Sequence, residues 1–263
     1  MTTILQISDT HIVPQGALVS KRLDTAGPLV RLVERVIKIA DQIGPIDAVL
    51  VSGDLTDDGS KESYNRFNQI MAPLKLPIHV IPGNHDKRAA MRDAFSSQFP
   101  SKGPLNWSCN IGDIKLIGLD TLVEEKNYGT LSQESLQYLE HSLTNSGTTP
   151  TIVALHHPPF MSGISFLDHI RLTNHKAFED VLAQASGPLR IVCGHIHNSM
   201  TVDFAGHIVI SGPSTCSSFA FDRSMDATAG YMIQEEGCLL HRWQNGFQSL
   251  RVSTTQGLGP FLF

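Results

Sequence analysis

Five short polar clusters, each directly following an apolar, β-branched run, constrain this chain more than any other feature. They are Asp9-x-His11, Gly53-Asp54, Gly83-Asn84-His85-Asp86, His156-His157-Pro158 and Gly194-His195-x-His197. A buried strand ends its run of Ile, Leu and Val at the sheet edge, and the residues that follow project into whatever lies above that edge. Five repeats of the pattern direct Asp, Asn and His side chains toward one place. Oxygen and neutral imidazole donors suit divalent first-row metals such as Fe, Mn, Zn or Co, and no Cys sits in any cluster.

Strand-like runs at Ile4–Ile7, Ala48–Val51, Ile78–Ile81, Lys115–Leu119, Ile152–Leu155 and Arg190–Cys193 alternate with segments of helical spacing. Leu29, Leu32, Val33, Val36, Ile37 and Ala40 form one apolar stripe, stopped by Gly44-Pro45. Further helices are predicted over 61–71, ended by Pro73, over 132–143, opened by Ser132, and over 173–185. From Met200 onward the pattern becomes short strands with turns at Ala205-Gly206 and Glu236-Gly237, which implies a mixed sheet. Segments 13–28, 122–129 and 160–172 follow or flank the clusters and are expected to form a rim that selects the substrate. The apolar tail, residues 257–263, is expected to dock on a neighbouring element or on a subunit, and in the second case the protein would be a homo-oligomer.

A chain of 263 residues can bury a sizeable core, and residues 1–263 are expected to form one domain. Twenty Lys and Arg against 25 Asp and Glu give a net charge of −5, with the cations scattered and no basic stripe, so long nucleic acid is not an expected partner. No apolar stretch reaches membrane-spanning length and no leader pattern opens the chain, so the expectation is a cytoplasmic protein without a membrane partner. Its four cysteines are far apart and read as reduced, buried residues.

A metal pair needs a bridging carboxylate, terminal ligands for each ion and an open position for water or substrate. Asp9 and His11, two apart, share a face of extended backbone, and His195 and His197 form a second such pair. Asp54 follows a glycine that permits a tight turn and is the bridging candidate, while Asn84 and His156 add an oxygen and an imidazole. His85, beside Asn84, is the expected proton donor, with Asp86 placed to fix its tautomer. His157 should point away from its neighbour's side. Two ions would activate water at neutral pH and clamp the oxygens of a phosphate, and His85 would protonate the departing alkoxide. Any one cluster has an ordinary explanation as a cap or turn. The coincidence of five, each suited to the same task, favours the chemical reading.

This ordered set resembles the calcineurin-like metallophosphoesterase family over nearly the whole chain. Ile7-Ser8-Asp9-Thr10-His11, Ile81-Pro82-Gly83-Asn84-His85-Asp86, His156-His157-Pro158-Pro159 and Cys193-Gly194-His195 resemble its bacterial class III cyclic-nucleotide phosphodiesterases and their glycerophosphodiesterase relatives. The resemblance implies a four-layer αββα sandwich of two mixed sheets, in which residues from about 199 to 263 complete the second sheet. It also implies one metal on Asp9, His11, Asp54 and His197, and another on Asp54, Asn84, His156 and His195. Many members carry Gly-Asp-x-x-Asp/Glu in the second block, a place assigned here to Asp58, to which no function is attached. The expected activity is hydrolysis of a small phosphodiester, a 3′,5′-cyclic nucleotide or a glycerophosphodiester. A broad phosphomonoesterase and a catalytically silent metal-binding scaffold are the alternatives.

Overall fold

Runs of Ile, Leu and Val without polar alternation belong to strands covered on both faces. β1 (Thr2–Ile7) and β2 (Ala48–Val51) are of this kind, with every residue buried. Between them lie α1 (Ala26–Lys38) and the single turn α2 (Ala40–Ile43), and Gly44 at φ 80° ends the pair. The chain continues through α3 (Lys61–Met71), β3 (Ile78–Val80), α4 (Arg88–Ala94), β4 (Trp107–Ile111), β5 (Ile114–Gly118) and α5 (Gln133–Ser146). It then forms β6 (Thr151–Ala154), the turn α6 (Ser165–Asp168), α7 (His175–Leu182) and β7 (Leu189–Cys193). The last strands are β8 (Thr201–Phe204), β9 (His207–Ser211), β10 (Ser217–Phe219), β11 (Tyr231–Ile233), β12 (Cys238–Trp243) and β13 (Phe247–Val252). This computed structural model describes all residues except Met225, Asp226, Glu236, Pro260 and Phe263, so the Glu236 half of the second expected turn lies outside the described residues.

Two mixed sheets result. The first has the order β13-β12-β1-β2-β3, the second β4-β5-β6-β7-β9-β8. β1, β2 and β3 are mutually parallel, as are β5, β6, β7 and β9, so the carboxyl ends of each parallel set lie along one edge. Alternation along β6 shows the layering: Ile152 and Ala154 join the core that also contains α1, α3 and the first sheet, whereas Val153 belongs to the core beneath α5 and α7. Helices, sheet, sheet and helices therefore stack in four layers.

The helix predicted over 61–71 appears with those bounds, and those predicted over 132–143 and 173–185 appear with shifted ends. Ser60 and Ser132 accept from the backbone N–H of Ser63 and Ser135 at 3.2 and 3.0 Å, each satisfying a free amide of a first turn. Ala205 and Gly206, at φ 52° and 77°, make the tight hairpin between β8 and β9. α4 and β4 were not anticipated. One expectation is corrected: residues beyond 199 do not all complete the second sheet. β8 and β9 do, but β12 and β13 join the first, with β12 antiparallel to β1 in a register that sets Leu5 opposite Leu240. β2 occupies one edge of β1, and β12 pairs the other, so this wholly buried strand keeps no open edge. Leu258 and Leu262 in the tail are 94% and 99% exposed and dock on no element among the described residues. Pro260 and Phe263 lie outside the described residues.

Candidate metal centre

All five clusters meet where the carboxyl ends of the two parallel sets face each other. After β1 the chain runs beside the segment that follows β2: the N–H groups of Asp9, His11 and Ile12 donate to the carbonyls of Gly53, Asp54 and Leu55 at 3.0–3.1 Å. The Gly194 N–H donates to the His156 carbonyl at 3.0 Å, which aligns the ends of β6 and β7 in the same way. Asp9, His11, Asp54, His195 and His197 all have φ between 45° and 72°, the left-handed region. Each such residue costs about 1–2 kcal/mol relative to ordinary backbone, and such strain persists where surrounding contacts hold it. Here the His195 N–H donates to both Asp9 oxygens at 3.0 and 3.1 Å, and the His85 N–H donates to Asp54 Oδ1 at 2.8 Å. Gly53, at φ 97°, is required twice over, because a Cβ there would lie 2.2 Å from His156 Nδ1.

The ring nitrogens reveal which way each imidazole faces. His156 Nδ1 donates to the Ser52 carbonyl at 2.8 Å, so its Nε2 is the nitrogen turned into the cluster, 3.3 Å from Asp54 Oδ2 and 3.2 Å from Asn84 Oδ1. His11 Nδ1 faces Asp57 Oδ1 at 3.2 Å, which leaves its Nε2 3.7 Å from the same Asp54 oxygen. His197 Nδ1 meets Ser217 Oγ at 3.1 Å, and its Nε2 lies 3.5 Å from Asp9 Oδ1. His11 Nε2 and His197 Nε2 point at each other across 3.1 Å, and the buried His195 Nε2 has no hydrogen-bond partner among the described residues. Buried polar atoms without partners are rare. These convergent side chains and the orphaned nitrogen fit cations held between them, and seven residues could hold them: Asp9, His11, Asp54, Asn84, His156, His195 and His197.

Charge follows the same geometry. Burial alone would lower the pKa of His156, but Asp54 and Asp9 outweigh it and raise the group to about 9. Burial keeps His195 down at about 3, with His156 adding to the effect. Asp9 is pushed up to about 6 by burial, against the pull of His156. Asp54 is as buried, yet His156, His85 and His11 hold it well below the ordinary carboxylate value. It is the carboxylate most firmly ionised and most central.

His85 lines the cleft above this cluster with its Nδ1 3.1 Å from the Asp57 carbonyl and 3.4 Å from Asp57 Oδ1. Asp86 does not orient it, which corrects the sequence expectation. Asp86 is buried and accepts from the N–H groups of Gly83, Leu55 and Thr56 and from Tyr64 Oη, at 2.9–3.3 Å. Five donors from two loops and a helix use up its oxygens, counting the Thr56 hydroxyl, so it ties the loop after β3 to the loop after β2. Asp57 is the residue missed by sequence reasoning. It stands three after Asp54, the Gly-Asp-x-x-Asp place given above to Asp58, whose side chain instead caps the Ser60 N–H at 3.0 Å. Burial opposes ionisation of Asp57, but the hydrogen bond from His11 and the nearby imidazoles lower its pKa. His157 uses both nitrogens elsewhere, accepting from Thr121 Oγ1 at 2.8 Å and donating to the Asn127 carbonyl at 3.2 Å.

The cleft itself encloses about 420 Å³. Its polar floor is the cluster, and all three rim segments reach it, through Leu23, Asn127 and Phe166. The β10–β11 ribbon adds Phe219 and Tyr231, a wall that the sequence did not disclose.

The calcineurin-like phosphoesterase family matches residues 2–199. A probable glycerophosphodiester phosphodiesterase, GpdQ, of Arcobacter nitrofigilis is 30% identical over 91% of this chain and 88% of its own length. A 3′,5′-cyclic adenosine monophosphate phosphodiesterase, CpdA, of Vibrio vulnificus is 34% identical over 82% of this chain and 77% of its own. Among solved structures, a dimetal phosphatase from Danio rerio superposes with a TM-score of 0.65 at 15% identity, covering 97% of this chain and 99% of that one, and so shares the fold. Fold, motif order and sequence agree: the chain belongs to the calcineurin-like phosphoesterase family.

Proposed function

We propose that this protein hydrolyses small phosphodiesters, a 3′,5′-cyclic nucleotide or a glycerophosphodiester, at a pair of divalent ions drawn from Fe, Mn, Zn and Co. The observation that carries the reading is the position of Asp54 Oδ2, 3.7 Å from His11 Nε2 and 3.3 Å from His156 Nε2, as a carboxylate oxygen shared by two ligand sets would be. Asp9, His11 and His197 would hold one ion with Asp54, and Asn84, His156 and His195 the other. When bound, such a pair lowers the pKa of water and offsets charge on the phosphate oxygens.

The remaining work falls to this chain's own groups. His85, on the cleft wall with Nδ1 engaged by Asp57, protonates the leaving alkoxide. Asp57 orients both His85 and His11, and the Asp86 knot holds the loop that carries Asn84 and His85. The names of the GpdQ and CpdA relatives support diesters as substrates, and the cleft of about 420 Å³ suits a small one.

Turnover of bis-p-nitrophenyl phosphate and of p-nitrophenyl phosphate, each with Mn²⁺, tests the reading. A diester preference is expected, and a marked monoester preference would overturn it. His85→Ala should lower turnover of a diester with a poor leaving group by about 10²–10⁴, the usual yield of general acid catalysis, and spare p-nitrophenol release. Equal losses on both would remove the proton-donor role.

A further inference from the structure

Asp9 is held from behind by a line of buried polar side chains. Ser8 Oγ donates to Asp9 Oδ2 at 2.5 Å, and Ser52 Oγ donates to Ser8 Oγ at 2.8 Å. Gln6 Nε2 donates to Ser52 Oγ at 2.8 Å and to the Cys193 carbonyl at 2.9 Å. Gln6 Oε1 lies 2.8 Å from His241 Nε2, and His241 Nδ1 lies 2.8 Å from Ser249 Oγ. Gln6, Ser8, Ser52 and His241 have no exposed surface.

One arrangement of protons makes every contact of the line, with the Ser52 hydroxyl turned to Ser8 Oγ at 2.8 Å in preference to the Ile7 carbonyl at 3.5 Å. A carboxylate solely accepts, so Ser8 donates to Asp9 and takes its own hydrogen bond from Ser52. The Cys193 carbonyl solely accepts, which turns the Gln6 amide nitrogen toward it and toward Ser52, and the amide oxygen toward His241. His241 must then carry its proton on Nε2 and receive the Ser249 hydroxyl on Nδ1. Each link donates in the direction of Asp9. Reversing any one would strand a buried polar atom, at a cost of about 1–3 kcal/mol.

The backbone leaves room for this line. A Cβ on Gly194 would lie 2.3 Å from Ser8 Oγ and 2.8 Å from Asp9 Oδ2, and a Cβ on Gly212 would lie 2.7 Å from Gln6 Nε2. Neither glycine has positive φ, so space and not conformation excludes other residues there. With Oδ2 occupied by Ser8, Asp9 directs Oδ1 at His197 Nε2, 3.5 Å away, and at His156 Nε2, 4.0 Å away.

We infer that Gln6 and His241 are positioning residues for Asp9: acting through Ser52 and Ser8, they fix which carboxylate oxygen faces the metal centre and so set its affinity for divalent cations. This rests on the reading of Asp9 as a metal ligand. Hydrogen-bonding partners that orient a ligand typically change metal affinity by about 10–100-fold when lost.

Isothermal titration of chelator-treated full-length protein with Mn²⁺ tests it, on the wild type, His241→Leu, His241→Gln, Ser8→Ala and, as a packing control remote from the line, Leu143→Ala. His241→Leu and Ser8→Ala should weaken Mn²⁺ binding about tenfold or more, whereas His241→Gln, which keeps an N–H where Nε2 stood, should stay within about threefold. Leu143→Ala should lower the unfolding temperature and leave Kd unchanged. Wild-type affinity in Ser8→Ala, or His241→Gln binding as weakly as His241→Leu, would overturn the inference. Ser8→Ala decides alone should His241→Leu not fold. Absence of Mn²⁺ binding by the wild type would instead remove the metal-ligand reading on which the inference stands.

Discussion

His241 should make the stability of this protein fall in mild acid by an amount that can be worked out beforehand. The imidazole is wholly buried on β12, and its pKa is pushed down to about 3 by burial and, secondarily, by the Arg190 cation. In an unfolded chain histidine titrates near 6.5. Between those values the unfolded state binds a proton that the folded state refuses. The stability contributed by the neutral folded form is therefore complete above about pH 6.5 and is lost progressively as pH falls toward about 3. At pH 5 the loss relative to pH 7 is about 2 kcal/mol, and it depends on the unfolded-state value alone as long as the folded pKa stays below about 4. His241→Gln keeps an N–H for Gln6 Oε1 but cannot titrate. Urea unfolding of both proteins in EDTA at the two pH values measures the difference, with the other buried histidines cancelling because both proteins contain them. With an m-value of about 2–3 kcal/mol/M, the gap between the two midpoints should move by about 0.7–1 M in favour of the variant on acidification. A gap that is the same at both pH values would refute the reasoning.

Three further outcomes are expected. Gly194→Ala would drive a Cβ to 2.3 Å from Ser8 Oγ and 2.7 Å from the Ser52 carbonyl, so thermal unfolding should show a loss of about 1–3 kcal/mol together with weaker Mn²⁺ binding. Asp57→Asn removes the negative charge beside the Nδ1 atoms of His11 and His85, which both face its Oδ1, and kcat/KM on a diester should drop about 10–100-fold with folding intact by circular dichroism. Saturating Mn²⁺ at about 100 times Kd should stabilise the protein by about 2.7 kcal/mol per site, seen as a rise of roughly 5–10 °C in Tm that EDTA reverses.

How much of this was legible in the sequence depends on the range of the interaction. Ile4–Ile7, Ala48–Val51 and Ile152–Leu155 declare themselves as strands by composition, and the donors that follow them are adjacent in the chain, so the cluster could be read from local pattern. β4 alternates inward Trp107, Cys109 and Ile111 with outward Ser108 and Asn110, a period of two carried by only five residues, and α4 buries only Met91. The place of Asp57 is legible in the local Gly53-Asp54-x-x-Asp57 spacing, but its contact with His11 spans 46 positions and has no local signature, and Asp86 adjoins His85 in sequence whereas the fold gives it to Tyr64. The pairing of β12 with β1, and with it the contact of His241 and Gln6 across 235 positions, has no local signature at all.

The donors belong to strand ends of both sheets: Asp9, His11, Asp54 and Asn84 follow β1, β2 and β3, while His156, His195 and His197 follow β6 and β7. Cations seated among them would act as a rivet through the sandwich. Sliding of one sheet over the other would then alter the coordination distances, so occupancy and interlayer docking would be bound to the same free energy, and each half of the molecule would be a poor chelator without its opposite.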